Sequence, residues 1–421
     1  MRVLVLGAGV VGLVSAYFLA RDGHRVTVVD RRAGVALEAS YANGGQLSYS
    51  YVAPLAAPGV ATQALRWLLD PGSPLRFHPR LDSHQWRWCL AFLRAANRTR
   101  YEASIRELLA LGWYSQRLMR ELVEREGLEF GLQRNGKIVA YRDPRALAAA
   151  ARLVCFQRAL GAEQRLLDVD ELVALEPALA DARAALAGAI FTPGEEAGDC
   201  HAFCVALQRV LASPALGVEF ALGVTIERLH AERGRIAAVA TDRGGALAGD
   251  AIVVALAGES RALVRPLGVR LPLYPLTGYS LTLPLEAASV APRISVTDFQ
   301  NRILYARLAG RLRVAAMVDI GGRGDRIDPQ RLATLRAHAQ RMFPRAGDFS
   351  RTEAWMGQRP ATPTGKPIVG ATPYRNLYLN VGHGALGFTF ATATGKLAAD
   401  AIAGRASATP AAPFALSPSA A

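Results

Sequence analysis

The chain has 421 residues, 51% of them hydrophobic, and a formal net charge of +14. That length supplies core for two domains, and the composition is that of an ordinary globular protein. The charge rests on Arg, with Lys only at positions 137, 366 and 396, and no basic block interleaved with aromatics argues for a nucleic-acid groove.

Residues 1–6 (MRVLVL) read as a strand, and Gly7-Ala8-Gly9-Val10-Val11-Gly12 follows at once. Residues 13–21 are helix-compatible, and residues 24–30 (HRVTVVD) form a second strand ending on a carboxylate. Strand, glycine turn, helix, strand and acid is the pattern of a dinucleotide site. Gly7 permits the tight turn, Gly9 lets the backbone approach a pyrophosphate, and Gly12 lets helix and strand pack closely. The helix N-terminus faces the phosphates with free N–H groups. Asp30, with Arg31 beside it, stands where a ribose hydroxyl pair is held. A carboxylate there repels a 2′-phosphate, which argues against NADP and leaves FAD and NAD.

Residues 39–48 are dense in small, hydrogen-bonding side chains. Ser40 and Asn43 are expected to bond phosphate or ribose. Gly44 and Gly45, followed by Gln46, are expected to let backbone lie against a planar ring. Residues 49–100 carry breaks at Pro54, Pro58, Pro71, Pro74 and Pro79 and read as an excursion from the nucleotide domain. Helical spacing returns over 101–126, a strand over 136–141, and helices over 144–162 and 170–175.

A second rhythm begins near 186. Strands are expected over 187–191 and 218–220, a helix over 199–211, and a hairpin through Arg233-Gly234. Residues 250–255 (DAIVVA) read as a buried strand ending in small residues. Val224, Ala257 and Gly258 are the backbone positions expected near the cofactor. Alternation over 271–283, 302–305 and 311–317 suggests an antiparallel sheet, and 329–343 a helix. Residues 355–370 read as a proline-stiffened loop carrying Arg359. A strand over 376–380 then runs into Gly382-His383-Gly384-Ala385-Leu386-Gly387 and a helix to about 402. This second glycine turn favours FAD, because reduction places negative charge on the N1–C2=O edge of the flavin and a helix N-terminus stabilises it.

The motifs MRVLVLGAGVVGLVSAYFLARDGHRVTVVDR, EASYANGGQLS, AAPGV, YPLTGYSLT, GQRPATPTGKPIVG and NVGHGALGFT occur in this order along nearly the whole chain. The sequence thereby resembles the FAD-dependent D-amino acid dehydrogenases of the D-amino acid oxidase-like superfamily. The resemblance implies an α/β two-domain flavoprotein, with a Rossmann-like FAD-binding domain and an interleaved substrate domain of antiparallel sheet plus helices. The expected boundaries are 1–75, 186–268 and 351–405 for FAD, and 76–185 and 269–350 for substrate, with 406–421 a loose tail.

It also implies hydride transfer from the Cα of a D-amino acid to flavin N5, hydrolysis of the imine to a 2-oxo acid and ammonia, and electron exit to a quinone or another respiratory acceptor. Arg359 matches the Gly-x-Arg-Pro arginine that pairs with the substrate carboxylate, and a planar guanidinium suits that task. Tyr279 is either a second hydroxyl for the substrate or a sheet tyrosine. His383 either sits beside the flavin or is structural. Thr277, Gln358 and Thr364 depart from the commoner family residues, which keeps a secondary amine such as a D-proline or hydroxyproline isomer, sarcosine or glycine open as the substrate. A non-catalytic electron-transfer subunit is a further reading.

The four cysteines, Cys89, Cys155, Cys200 and Cys204, form no CxxC pair, so no metal site is expected. With no apolar run of membrane-spanning length and a βα unit starting at residue 1, a cytoplasmic location is expected. The basic charge permits contact with an anionic membrane face; an oligomer or a partner subunit is a further expectation.

Overall fold

The computed structural model describes residues 1–60, 73–322, 324 and 326–417. The expected break at Pro71 and residues 418–421 of the tail lie outside them.

Two sheets organise the chain. The first has six strands, in the order Ile368–Ala371, Leu377–Val381, Ala251–Val254, Arg2–Leu6, Arg25–Asp30 and Glu219–Leu222. Arg2–Leu6 lies inside it, parallel to Ala251–Val254 on one side and to Arg25–Asp30 on the other. Such central parallel strands are buried on both faces, which explains their unbroken Val/Leu/Ile character. On one face pack the helices Val10–Arg21, Cys200–Leu211 and Gly387–Ala403, through Leu13, Leu207, Phe388 and Ala391. The hairpin Ile226–Glu232/Arg235–Thr241 covers the other face through Leu229, Ile236 and Val239.

The second sheet has nine strands. Its main path runs Glu353–Ala361, Tyr274–Pro284, Arg311–Ile320, Ile303–Leu308, Ser295–Asp298, Lys137–Tyr141, Gly188–Thr192 and Arg165–Leu167, and Leu75–Phe77 pairs beside Arg311–Ile320. The helix Pro329–Met342 packs on one face through Leu335, Ala339 and Met342. The other face meets the segment that follows the second strand of the nucleotide unit.

Four expectations change. Residues 353–361 are a strand, not a loop: Arg359-Pro360 pairs with Pro275-Leu276 at the sheet edge, where a proline without an N–H is tolerated. Gly188–Thr192 and Glu353–Ala361 belong to the nine-stranded sheet, so the boundaries at 186 and 351 fall too early. Strand pattern does not name the sheet a strand joins. The helix Arg98–Glu126, expected with the substrate domain, packs on Gly387–Ala403, where Ser115 Oγ meets Thr392 Oγ1 at 2.7 Å. The tail is not loose over its described part. Phe414 is 2% exposed and packs with Val369, Phe390 and Leu397. One aromatic in an Ala/Pro/Ser stretch anchors it.

Candidate active site

At the first glycine turn, Gly7 has φ +116°, and a Cβ there would stand 2.5 Å from the Ala255 carbonyl oxygen. A Cβ on Gly12 would stand 1.9 Å from the Gly7 carbonyl, so helix and turn touch directly. Gly9 differs: its nearest neighbour in that direction is Ser40 Oγ at 3.6 Å. The turn is therefore closed toward the protein at Gly7 and Gly12 and open at Gly9. Gly9 caps the helix without a side-chain acceptor, and the Val10 N–H donates to Ser40 Oγ at 3.2 Å. Ala8 is fully buried and Val11 packs against the helix core.

Asp30 locks this turn. Its Oδ2 accepts from the Ala8 N–H at 2.7 Å and its Oδ1 from the Arg32 N–H at 2.8 Å. Each oxygen keeps a lone pair. The Asp30 carbonyl accepts from the Val224 N–H at 2.9 Å, which brings Val224 to the same edge. Arg31 is turned to the surface, ion-paired with Glu38 at 2.8 Å and with Glu259. Ala257 adopts φ +50°, and the Cβ direction of the adjoining Gly258 is open.

The 40–47 segment is stitched to the nine-stranded sheet. Ser280 Oγ donates to the Ala42 carbonyl at 2.8 Å, and Arg313 to the Asn43 carbonyl at 2.8 Å. Gln46 Nε2 donates to Ser295 Oγ. At Gly44 and Gly45, expected against a planar ring, the Cβ directions are filled by Leu304 and by Gly198 with Leu308, so neither position has room for a side chain. Asn43 Oδ1 accepts from the Gly45 N–H at 3.0 Å, so this side chain shapes the turn instead of facing outward.

The second glycine turn has Gly382 at φ +82° and Gly384 at φ +56°, followed by Ala385 and Leu386 in a short 3₁₀ turn. The helix from Gly387 starts without a side-chain cap, and the turn before it leads straight into the helix. Two helix N-termini whose cap residues offer no side-chain acceptor, and an open glycine face, fit a long, twice-anionic dinucleotide.

His383 is 4% exposed and pairs with Thr394 Oγ1 at 2.9 Å. Burial pushes its pKa down to about 3. Burial therefore favours the neutral ring, and Thr394 fixes its orientation.

Arg359 and Tyr279 stand on opposite faces of one strand pair. Arg359 pairs with Leu276 and Tyr279 with Met356, an odd register difference that sends the two side chains apart. Tyr279 is 3% exposed and packs with the Pro329–Met342 helix. Its hydroxyl donates to Asp319 Oδ2 at 2.9 Å, and Asp319 Oδ1 pairs with Arg331 at 2.5 Å. Burial and the Asp319 charge push the phenol pKa up. Tyr279 is therefore a sheet tyrosine with no access to a substrate on the Arg359 side.

Arg359 lies flat over Gly278: a Cβ there would be 2.5 Å from its Cζ and both terminal nitrogens. One terminal nitrogen donates to the Met317 carbonyl at 2.9 Å. Burial lowers its pKa, opposed by the Asp319 charge, and the group remains a cation. The pairing of Thr277 with Asp319 and of Tyr279 with Ala316 leaves two residues opposite Gly278, a β-bulge.

Sequence reasoning missed three parts of this region. Met317 holds φ +69° in the bulge. Lys137 is 3% exposed; its Nζ donates to Ser48 Oγ at 2.9 Å and stands 4.0 Å over the Tyr51 ring. Glu195 is 1% exposed, and its Oε1 accepts from the N–H groups of Ser50 at 2.7 Å and Tyr51 at 3.2 Å. Burial lowers the Lys137 pKa and raises that of Glu195, each opposed by the other's charge. A lysine inside the apolar run GKIVAY, in an Arg-rich chain, was the available signal.

Residues 2–401 match the family model described as FAD dependent oxidoreductase. The chain is 49% identical to D-amino acid dehydrogenase 2 of Ralstonia nicotianae, over 99% of this chain and 100% of that one. It is 48% identical to D-amino acid dehydrogenase 2 of Pseudomonas aeruginosa, over 96% and 95%. Glycine oxidase from Geobacillus kaustophilus has a similar fold, with TM-score 0.78 at 23% identity over 99% of both chains. Iminodiacetate oxidase from Chelativorans follows with TM-score 0.73 at 21% identity over 99% of both. The chain belongs to the FAD-dependent oxidoreductase family, and FAD is its cofactor.

Proposed function

We propose that the protein oxidises D-amino acids to 2-oxo acids and ammonia. The observation that carries this reading is the flat, backbone-held guanidinium of Arg359, a fork suited to one carboxylate. The nearly full-length relatives named D-amino acid dehydrogenase support the substrate class.

Gly7, Gly9, Gly12 and Asp30 hold the ADP half of FAD, with Val224, Ala257 and Gly258 at its edge. The helix N-terminus at Gly382–Gly387 faces the flavin end. FAD, when bound, accepts hydride from the substrate Cα. Arg359 fixes the carboxylate and so orients that Cα. Neither His383 nor Tyr279 moves a proton, so the amine enters neutral and water completes the hydrolysis.

Electrons leave to a quinone or another acceptor. The net charge of +14 supports contact with an anionic membrane face. So does the helix Ser83–Ala95, whose Trp86, Leu90 and Leu93 are each about half exposed beside Arg87 and Arg94. Among the described residues no helix is long and apolar enough to cross a membrane.

The test is the visible flavin spectrum, followed anaerobically against D- and L-amino acids, glycine, sarcosine and the proline isomers. Bleaching by D- but not L-amino acids is expected. Bleaching by secondary amines or glycine alone would replace the reading. A flavin that no amine reduces would make the chain an electron carrier.

A further inference from the structure

The helix Ser83–Ala95 is apolar on two sides. Its inner stripe is spent on the fold: Gln85, Trp88 and Ala95 are buried, and Trp88 stacks on Phe92 with ring centroids 5.3 Å apart. Trp86, Leu90 and Leu93, at i, i+4 and i+7, form a second stripe on the outside. Each is about half exposed, and Leu81, just before the helix, is fully exposed. Among the described residues eight large hydrophobic side chains are exposed, and four of them fall between 81 and 93. Single exposed side chains need no explanation, but a cluster marks a contact surface.

Charge follows the same stripe. Arg87 and Arg94 run beside it and are exposed. The nearby ion pairs are Arg76 with Asp328 and Arg98 with Glu102, and among the described residues Arg87 and Arg94 have no carboxylate partner. Between 80 and 100 the sequence has five arginines and one acid, Asp82, which is turned to the helix N-terminus and accepts from the His84 N–H at 2.9 Å. Trp86 Nε1 donates to the Arg80 carbonyl at 3.0 Å, so its polar edge is satisfied while the residue stays half exposed.

The inner stripe reaches the strand pair of Arg359. Trp88 Nε1 donates to the carbonyl of Ala361, two residues past Arg359, at 2.9 Å. Trp88 also shares a cluster with Tyr274 and Leu276, and Leu276 pairs with Arg359. Directly paired residues share a sheet face, so the helix lies on the Arg359 side of the sheet.

We propose that Leu81, Trp86, Leu90 and Leu93, flanked by Arg87 and Arg94, dock on an anionic lipid bilayer. This rests on the membrane contact proposed above and assigns it to one surface. An apolar stripe bordered by unpaired arginines is what an interfacial helix presents: the apolar side chains enter the headgroup boundary and the cations meet lipid phosphates. A second copy of the chain would bring the same arginines against these, like charge on like.

The experiment is flotation of the FAD-loaded enzyme with vesicles of phosphatidylglycerol and phosphatidylcholine in equal parts, and of phosphatidylcholine alone, at low and high salt. The wild type should float with the anionic vesicles, less with the neutral ones, and less at high salt. Leu90→Ser/Leu93→Ser and Arg87→Glu/Arg94→Glu should each lower the partition at least about tenfold. Leu166→Ser, an exposed leucine at the opposite edge of the nine-stranded sheet, should not. D-Alanine oxidation with a soluble dye should stay unchanged in every variant, whereas with a long-chain quinone carried in the vesicles it should fall with binding. A wild type that floats with neither vesicle overturns the inference. Flotation that both double variants keep overturns this surface while leaving the membrane contact itself. Loss of dye-linked turnover in both double variants also overturns it, because the stripe then belongs to the enzyme's own structure. A dimer in sedimentation that Leu90→Ser/Leu93→Ser dissociates gives the face to a second copy and overturns it as well. Flotation lost in the double variants of a protein whose flavin no D-amino acid bleaches supports the docking surface and removes the substrate reading alone.

Discussion

Arg359 donates to the main-chain carbonyl of Met317 at 2.9 Å, and Met317 is itself a left-handed residue in a β-bulge. The carbonyl reaches the guanidinium because the bulge turns the strand at that point. Gly278 completes the arrangement by leaving bare backbone beneath it. One strand irregularity and one missing side chain thus fix the orientation of the carboxylate fork.

Gly278→Ala should therefore act on substrate and not on fold. Its backbone is outside the left-handed region, so alanine fits the strand but pushes the guanidinium aside. Misplacement of about 1 Å costs on the order of a hundredfold in turnover efficiency. The expected result is a fall of that size in kcat/KM, mostly in KM, with FAD still bound. Steady-state kinetics beside the flavin absorbance ratio checks it; unchanged kinetics would mean that Arg359 does not touch substrate.

Asp30→Ala should weaken FAD retention and lower stability together. The carboxylate accepts from the Ala8 and Arg32 N–H groups, and hydrogen bonds to a charged partner contribute about 1.5–3 kcal/mol each. Loss of the carboxylate should lower the apoprotein's unfolding free energy by a few kcal/mol and leave purified protein with less flavin per chain. Chemical denaturation and the flavin-to-protein ratio report the two effects separately. Full flavin content with unchanged stability would remove Asp30 from the turn.

The first βαβ unit was legible because its meaning lies in local spacing: strand, three glycines, helix, acid. Arg359 was legible as a residue but not as a strand residue, since Pro360 and its neighbours suggest a loop until an edge strand accommodates them. Which face Tyr279 occupies depends on register against a strand far away in sequence, and the bulge at Met317 depends on pairing in the same way. Why Gly44 and Gly45 must be glycine was not legible, because Leu304 and Leu308 come against them only after folding. Lys137 and Glu195 meet only after folding, through the 48–51 segment.

Phe414→Ala should be destabilising although it lies in an Ala/Pro/Ser segment. Its ring fills a cluster with Val369, Phe390 and Leu397. Removing a buried Phe typically costs 3–5 kcal/mol, about 3–5 kcal/mol being expected here. Denaturant melts of full-length protein check this. An unchanged midpoint would mean that the tail does not dock in solution.

His383 should make the protein acid-sensitive. In the unfolded chain it binds a proton below pH 6.5, whereas burial holds its native pKa at about 3. Between those values the unfolded state binds more protons, so stability rises with pH across the window and falls on acidification. Its contribution is complete above pH 6.5 and declines by about 2 kcal/mol between pH 6.5 and 5, at 1.36 kcal/mol per unit. His383→Gln keeps a polar partner for Thr394 without the titration. Denaturant melts at both pH values should show the wild type losing about 2 kcal/mol more than the variant on acidification. Equal losses would mean that His383 is protonated in the native protein, and would return it to consideration as a proton carrier beside the second glycine turn.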